Sequence, residues 1–133
     1  MAFQFSVAAR NAALDAIETA AGTSPVLTIR TGSAPANCAA ARTGTVLATL
    51  NLPSDWLAAA SGGTKGIAGT WQDASADAAG TAAHFSIDQG GTCHIQGTVT
   101  ATGGGGDMTL DNVVIALLQQ VTITSFTLTA GGA

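Results

Sequence analysis

The spacing of apolar residues changes once, early in the chain. From Val7 to Ala21 the residues Val7, Leu14, Ile17 and Ala21 recur on one helical face, with Asp15 and Glu18 towards the other side. Ser6 is placed to cap the first turn, the alanines favour helix, Gly22 stands at the C′ position and Pro25 blocks continuation. The pattern predicts one α-helix over about 7–21. Before it, Phe3 and Phe5 put two bulky apolar groups on a short arm, residues 1–6.

After Pro25 the period becomes two. Leu27 and Ile29 alternate with Thr28 and Arg30, and Val46, Ala48, Leu50 and Leu52 alternate with Leu47, Thr49 and Asn51. Ile67, Gly69 and Trp71 are expected on one face of a further strand, and Phe85 and Ile87 on one face of the next. Gln89–Gly91 (QGG) is a hairpin signal. Beyond it, Cys93, Ile95, Gly97 and Val99 are expected inward, with His94, Gln96, Thr98 and Thr100 outward. Ser61–Gly66 (SGGTKG) reads as a turn cluster, and Ala101–Asp107 (ATGGGGD) as a flexible connection. Periodicity does not decide between strand and helix for VVIALL, which is Val113, Val114, Ile115, Ala116, Leu117 and Leu118. In the last strand Val121 and Ile123 have odd parity, whereas Phe126 and Leu128 have even parity. Either a bulge near Thr124–Ser125 restores one buried face, or both faces are covered, one of them by a partner.

About seven or eight short strands separated by turns predict a mainly β fold, a β-sandwich or jelly roll, with one N-terminal α-helix. A parallel α/β fold does not fit, because helices do not alternate with the strands. The 133 residues suit a single domain, 1–133.

Composition sharpens the picture. Hydrophobic residues make up 47% and charged residues only 9% of the chain, against about 25% charged in an average soluble domain. A surface of Ala, Thr, Ser, Gly and Gln gives up few charges when it is covered. It suits a subunit that packs against other subunits, its own copies included. Arg10, Arg30, Arg42 and Lys65 are scattered, so neither nucleic acid nor an anionic membrane is an expected partner. No stretch reaches the roughly 20 apolar residues of a membrane span, and MAFQFSVAAR lacks the basic start of a signal peptide. The expected place of synthesis is the cytoplasm. There, Cys38 and Cys93 are expected as buried free thiols, a disulfide being the alternative.

Candidate chemistry is sparse. His84 and His94 could hold a metal only with Asp88 as a third ligand and in the correct register, and surface or interface histidines are the expectation. Cys93 and His94 are adjacent in a strand and point to opposite faces, so they do not make a nucleophile and base. Asp73 with Asp77, and Asp107 with Asp111, could hold calcium or serve a glycosidase, but loop aspartates usually cap turns. Gly103–Gly106 lacks the Lys and Ser/Thr of a phosphate loop. Trp56 and Trp71 are expected in the core rather than on a sugar-stacking platform. No catalytic residue and no cofactor is expected.

The segments RNAALDAIETAAG (Arg10–Gly22), VLTIRTGSAPANCAAA (Val26–Ala41), TVLATLNLPSDWLAAASGG (Thr45–Gly63), GTWQDASADAAGTAAHFSI (Gly69–Ile87), GDMTLDN (Gly106–Asn112) and VTITSFTLTAGGA (Val121–Ala133) carry a resemblance. In this order and spacing they resemble small structural proteins of tailed bacteriophages and prophages. The resemblance implies a virion component, made in the host cytoplasm, with other virion proteins such as the major capsid or tail protein as partners. A capsid decoration or cement protein fits its small size. A tail, baseplate or fibre component that binds a receptor is the second reading, and a phage cell-wall hydrolase is the enzyme alternative. The expected subunit contacts are Phe3, Phe5, Val113, Val114, Ile115, Leu117, Leu118, Phe126 and Leu128.

Overall fold

A computed structural model describes residues 3–133; Met1 and Ala2 of the arm lie outside the described residues. The helix α1 spans Val7–Ala21. Ser6 Oγ accepts the Ala9 N–H at 3.1 Å, and Gly22, at φ 81°, closes the last turn on the Glu18 carbonyl. Both ends are therefore where the capping residues place them.

Five strands form the main sheet: β1 (Val26–Arg30), β2 (Val46–Asn51), then β6 (His84–Gln89), β7 (Thr92–Ala101) and β8 (Met108–Leu110) further along the chain. Their spatial order is β2-β1-β6-β7-β8. Three two-stranded ribbons complete the fold. They pair β3 (Thr64–Gly66) with β11 (Thr127–Thr129), β4 (Trp71–Asp73) with β10 (Val121–Ile123), and β5 (Gly80–Thr81) with β9 (Val114–Ile115). The expected class, mainly β and sandwich-like with one N-terminal helix, is what forms. It is cut into eleven strands among the described residues because several expected strands break into pieces of two or three residues.

The core lies on the face of the sheet that carries Leu27, Ile29, Phe85 and Ile87. An aromatic row crosses it. Trp56 and Trp71 sit 6.0 Å apart, Trp71 and Phe126 5.9 Å, and Phe126 meets Phe85 edge-on at 5.4 Å. Both indoles are fully buried and both N–H groups find carbonyls, Gly22 O at 2.9 Å for Trp56 and Trp56 O at 3.1 Å for Trp71. Burial then costs no unpaired donor.

The last strand resolves its parity conflict by breaking. Thr124 and Ser125 both face solvent between β10 and β11, so Val121, Ile123 and Phe126 are all buried and Leu128 is half-buried. The two halves pair with different strands, β4 and β3. The hairpin between β6 and β7 turns on Gly90 and Gly91, both at positive φ, the requirement of a tight two-residue connection.

Two corrections concern the segments that flank and follow β7. First, Cys38 and Cys93 are joined in a disulfide, with Cα atoms 5.2 Å apart, and are not free thiols. The cause is a register shift between Ile87 and Asp88. Ile95 pairs with Ile87, but Cys93 pairs with Asp88, so His94 is an extra residue in β7. One extra residue moves Cys93 off the core face that Ile95 occupies. The loop between β1 and β2 folds back to meet it. Arg42 donates to Gln96 Oε1 at 2.8 Å, and Gln96 donates to Pro35 O at 2.8 Å.

Second, the glycine run after β7 is not slack. β8 pairs in parallel with β7, Val99 opposite Met108, so the chain must double back within 102–107. Parallel neighbours normally need a crossover of about a dozen residues. The short return closes because Thr100 Oγ1 accepts the Gly106 N–H at 3.0 Å and Asp107 accepts the Thr98 N–H at 2.9 Å. A Cβ on Gly104 or Gly106 would stand 2.8 Å from Thr100 side-chain atoms.

The disulfide spans 55 residues, a separation for which loop-closure entropy gives about 4 kcal/mol of stabilisation. The Cys38→Ser/Cys93→Ser protein is expected to unfold at lower urea concentration with a loss approaching that value. Equilibrium unfolding with and without reductant checks it, and the variant should not respond to reductant.

Candidate contact surfaces

The chain's one lysine organises the surface. Lys65 lies in β3, where the sequence suggests a turn, and is only 2% exposed. Its ammonium meets Asp15 Oδ1 at 2.6 Å and Glu18 Oε1 at 2.9 Å, both carboxylates standing on α1. Beside this pair, Asn11 Oδ1 accepts the Gly63 N–H at 2.8 Å and Asp15 Oδ1 accepts the Ala60 N–H at 3.3 Å. The helix thus docks by polar groups as much as by Leu14 and Ala21, its two buried apolar residues. Val7, expected on the buried face, is 47% exposed, because the docked face turns to bring in Asn11 and Glu18. Burial pushes the Lys65 pKa down, but hydrogen bonds to Asp15 and Glu18 outweigh it and hold the value above 10.5. The Lys65 hydrogen bond, then the Ala60 N–H, hold the Asp15 carboxyl below 3.8.

The expected contact residues divide. Ile115 and Phe126 are 2% and 5% exposed and belong to the domain's own core, so they offer no outer surface. Val113 and Leu128 are half-buried against that core. Phe3, Phe5, Val114, Leu117 and Leu118 are exposed. With Val7 they are the exposed large apolar residues among the described residues, and they fall in two places.

The first place is the arm. The Phe5 N–H donates to Gly132 O at 2.6 Å, which ties the arm to the end of the chain. Between α1 and the segment Thr129–Gly131 runs an open groove of about 430 Å³, lined by Phe5, Ala9, Ala13, Leu14 and Ile17, with Arg10 as its charged group. The second place is a turn. VVIALL forms neither a helix nor one strand: Val114–Ile115 is β9, and Ala116–Gln119 then turns. Leu118 sits at φ 68°, a left-handed conformation that glycine usually supplies. The turn is braced. Leu118 N–H donates to Ala76 O at 3.0 Å, Ala76 N–H to Gln119 O at 2.7 Å, and Ala116 N–H to Gln119 Oε1 at 2.9 Å. Leu117 and Leu118, 58% and 70% exposed, stand at its tip.

Elsewhere the reactive side chains hold structure. Cys93 is in the disulfide. His84 is fully buried, donates from Nδ1 to Gly32 O at 2.8 Å and lies opposite Thr98, four residues along β7 from His94. Asp73 caps Thr49 and Ser75, and Asp77 accepts the Thr49 hydroxyl. Among the described residues no group of three His, Cys, Asp or Glu is placed to hold a metal ion, and no helix is long and apolar enough to cross a membrane. No family model, no curated protein and no solved structure matches the chain.

Removing the carboxylates should hurt more than removing the lysine. Asp15→Asn/Glu18→Gln strands a buried ammonium, whereas Lys65→Met leaves two carboxylates near water. The double variant is expected to lose several degrees in unfolding temperature, and Lys65→Met less. The pH dependence has two edges. Asp15, lowered in the fold, adds stability that is present above 3.8 and is lost as pH falls through its folded value. Lys65, raised in the fold, adds stability that is present below 10.5 and is lost as pH rises through its folded value. The stability difference between wild type and Lys65→Met should therefore stay flat between these limits and shrink beyond both, as read by urea titrations across pH.

Proposed function

We propose that this chain is a structural component of a tailed-phage particle, a decoration or cement protein that packs against neighbouring subunits. The observation that carries the packing role is the distribution of exposed apolar side chains. They are gathered at an arm and at a braced turn, on a chain with only 9% charged residues. Exposed apolar groups gathered in two places, rather than scattered singly, are the kind of surface a subunit contact uses. The virion assignment is supported by the resemblance of the segments from Arg10 to Ala133 to small phage structural proteins.

The disulfide adds support. Disulfides persist in oxidising surroundings, which a particle released from its host meets.

The test is location. The protein should co-purify with intact particles and appear as repeated density on the head in a particle reconstruction, with immunogold labelling on the same surface. Density on the tail or baseplate would move the reading to attachment. Absence from purified particles would end it.

A further inference from the structure

The two exposed apolar patches differ in shape. The arm patch flanks a hollow, the groove between α1 and the Thr129–Gly131 segment. The turn patch is a projection, Leu117 and Leu118 on a backbone held in place by Ala76 and Gln119. They stand at opposite ends of one stretch of chain, since β10 and β11 run between residue 118 and residue 129. Leu117 and Leu118 line no part of that groove, so within one molecule the projection leaves the hollow open. They can meet between two copies.

Three observations favour that occupant. A dry cavity of about 150 Å³ already takes a benzene-sized group, so the groove at about 430 Å³ has room for two leucine side chains. The charges beside the two patches are also opposite in sign. Arg10 lines the groove, makes no ion pair among the described residues and has a buried Nε without a partner. Asp111 lies beside the turn, around a hollow shared with Gln119 and Gln120, and it too makes no ion pair there. Lastly, Leu118 keeps a backbone conformation that costs a leucine energy, and three hydrogen bonds hold it there. Glycine would serve the turn alone; leucine serves a surface.

We propose that the Leu117–Leu118 turn of one copy seats in the groove between α1 and the C-terminal segment of a second copy. This names the partner for the packing role given above. The contact is head-to-tail, so it leaves one free turn and one free groove on every pair. Repeated, it generates a ring or an open row of copies rather than a closed two-fold dimer.

Complementation between two variants tests it. Leu117→Ser/Leu118→Gly removes the projection and relieves the backbone, so it should fold. Ala13→Glu fills the groove with a charge on an exposed helix position, and Ala9→Glu replaces it if that variant is unstable. Circular dichroism and thermal unfolding verify the fold of each. Sedimentation velocity and light scattering then read association up to about 1 mM, the range of weak specific contacts. Wild type should grow with concentration beyond dimers. Each variant alone should stay monomeric. An equal mixture should form heterodimers and nothing larger, because one variant keeps only the groove and the other only the turn. A wild type that remains monomeric overturns the proposal, as does either variant that retains the wild-type series, or a mixture that stays monomeric. If the turn variant still dimerises while the groove variant does not, the groove meets a second groove and the head-to-tail contact is wrong. These outcomes are separable from the virion role, since a protein monomeric here but present in purified particles would keep that role with another partner.

Discussion

A buried ammonium must be neutralised, and here that need decides where the helix goes. Lys65 enters the interior from β3, and the carboxylates that meet it are Asp15 and Glu18, one turn apart on α1. Leaving that charge unpaired would cost more than the helix could recover through Leu14 and Ala21. So α1 lies across β3. Because β3 pairs with β11, the helix also becomes the neighbour of the C-terminal segment. The groove between them follows from the position of one charge. An apolar residue at 65 could bury equally well, but it would leave the rotation of α1 to weaker preferences among its many alanines. Register is the role in which buried ion pairs are best supported.

The main sheet separates two kinds of cohesion. One face carries the aliphatic side chains and the aromatic row from Trp56 to Phe85. The other carries hydrogen-bonded polar groups, Thr28 with Ser86 at 3.1 Å, His84 with Gly32, and Arg42 with Gln96. A loop covers that second face. It has little apolar area to bury, and the disulfide compensates by fastening it covalently. Ser86 and His84 are fully buried although they face away from the apolar core, which only a covered second face explains.

Features set by neighbours in sequence were legible, and features set by distant partners were not. The helix shows in the Ser6 and Gly22 caps, and the β6–β7 hairpin in its paired glycines, because a few consecutive residues fix each. The break before Phe126 shows as a parity change, since period two cannot bury Val121 and Phe126 on one face of an unbroken strand. By contrast, the bulge at His94 leaves no trace in residue type. It follows from how β6 pairs, and it alone converts Cys93 from a core position to a disulfide partner. Lys65 sits in a string of turn formers, and nothing local says that its carboxylates are 50 and 47 residues away. The glycine run reads as slack because glycine serves flexible and crowded backbone alike. Only the parallel pairing of β8 shows that crowding selected it here. Among the contact residues, the exposed leucines of VVIALL could be told from buried Ile115 only after the turn was placed.

The low charge content also shapes how such a surface would associate. With few charges and a net charge of −4, two copies repel each other only weakly once salt screens them, and nothing steers them together at long range. Encounter is then governed by diffusion and short-range fit, and one Arg10–Asp111 pair at a rim changes this little. Salt should matter little to a contact of this kind, whereas shape matters a great deal. A single two-leucine contact is weak, but copies held beside one another on a common scaffold would present their patches at high effective concentration. The sparsely charged surface, the braced leucine turn and the apolar groove are thus one design constraint seen three times. A surface that forgoes long-range electrostatics relies on where its few apolar groups stand, and at the turn hydrogen bonds to Ala76 and Gln119 set that position.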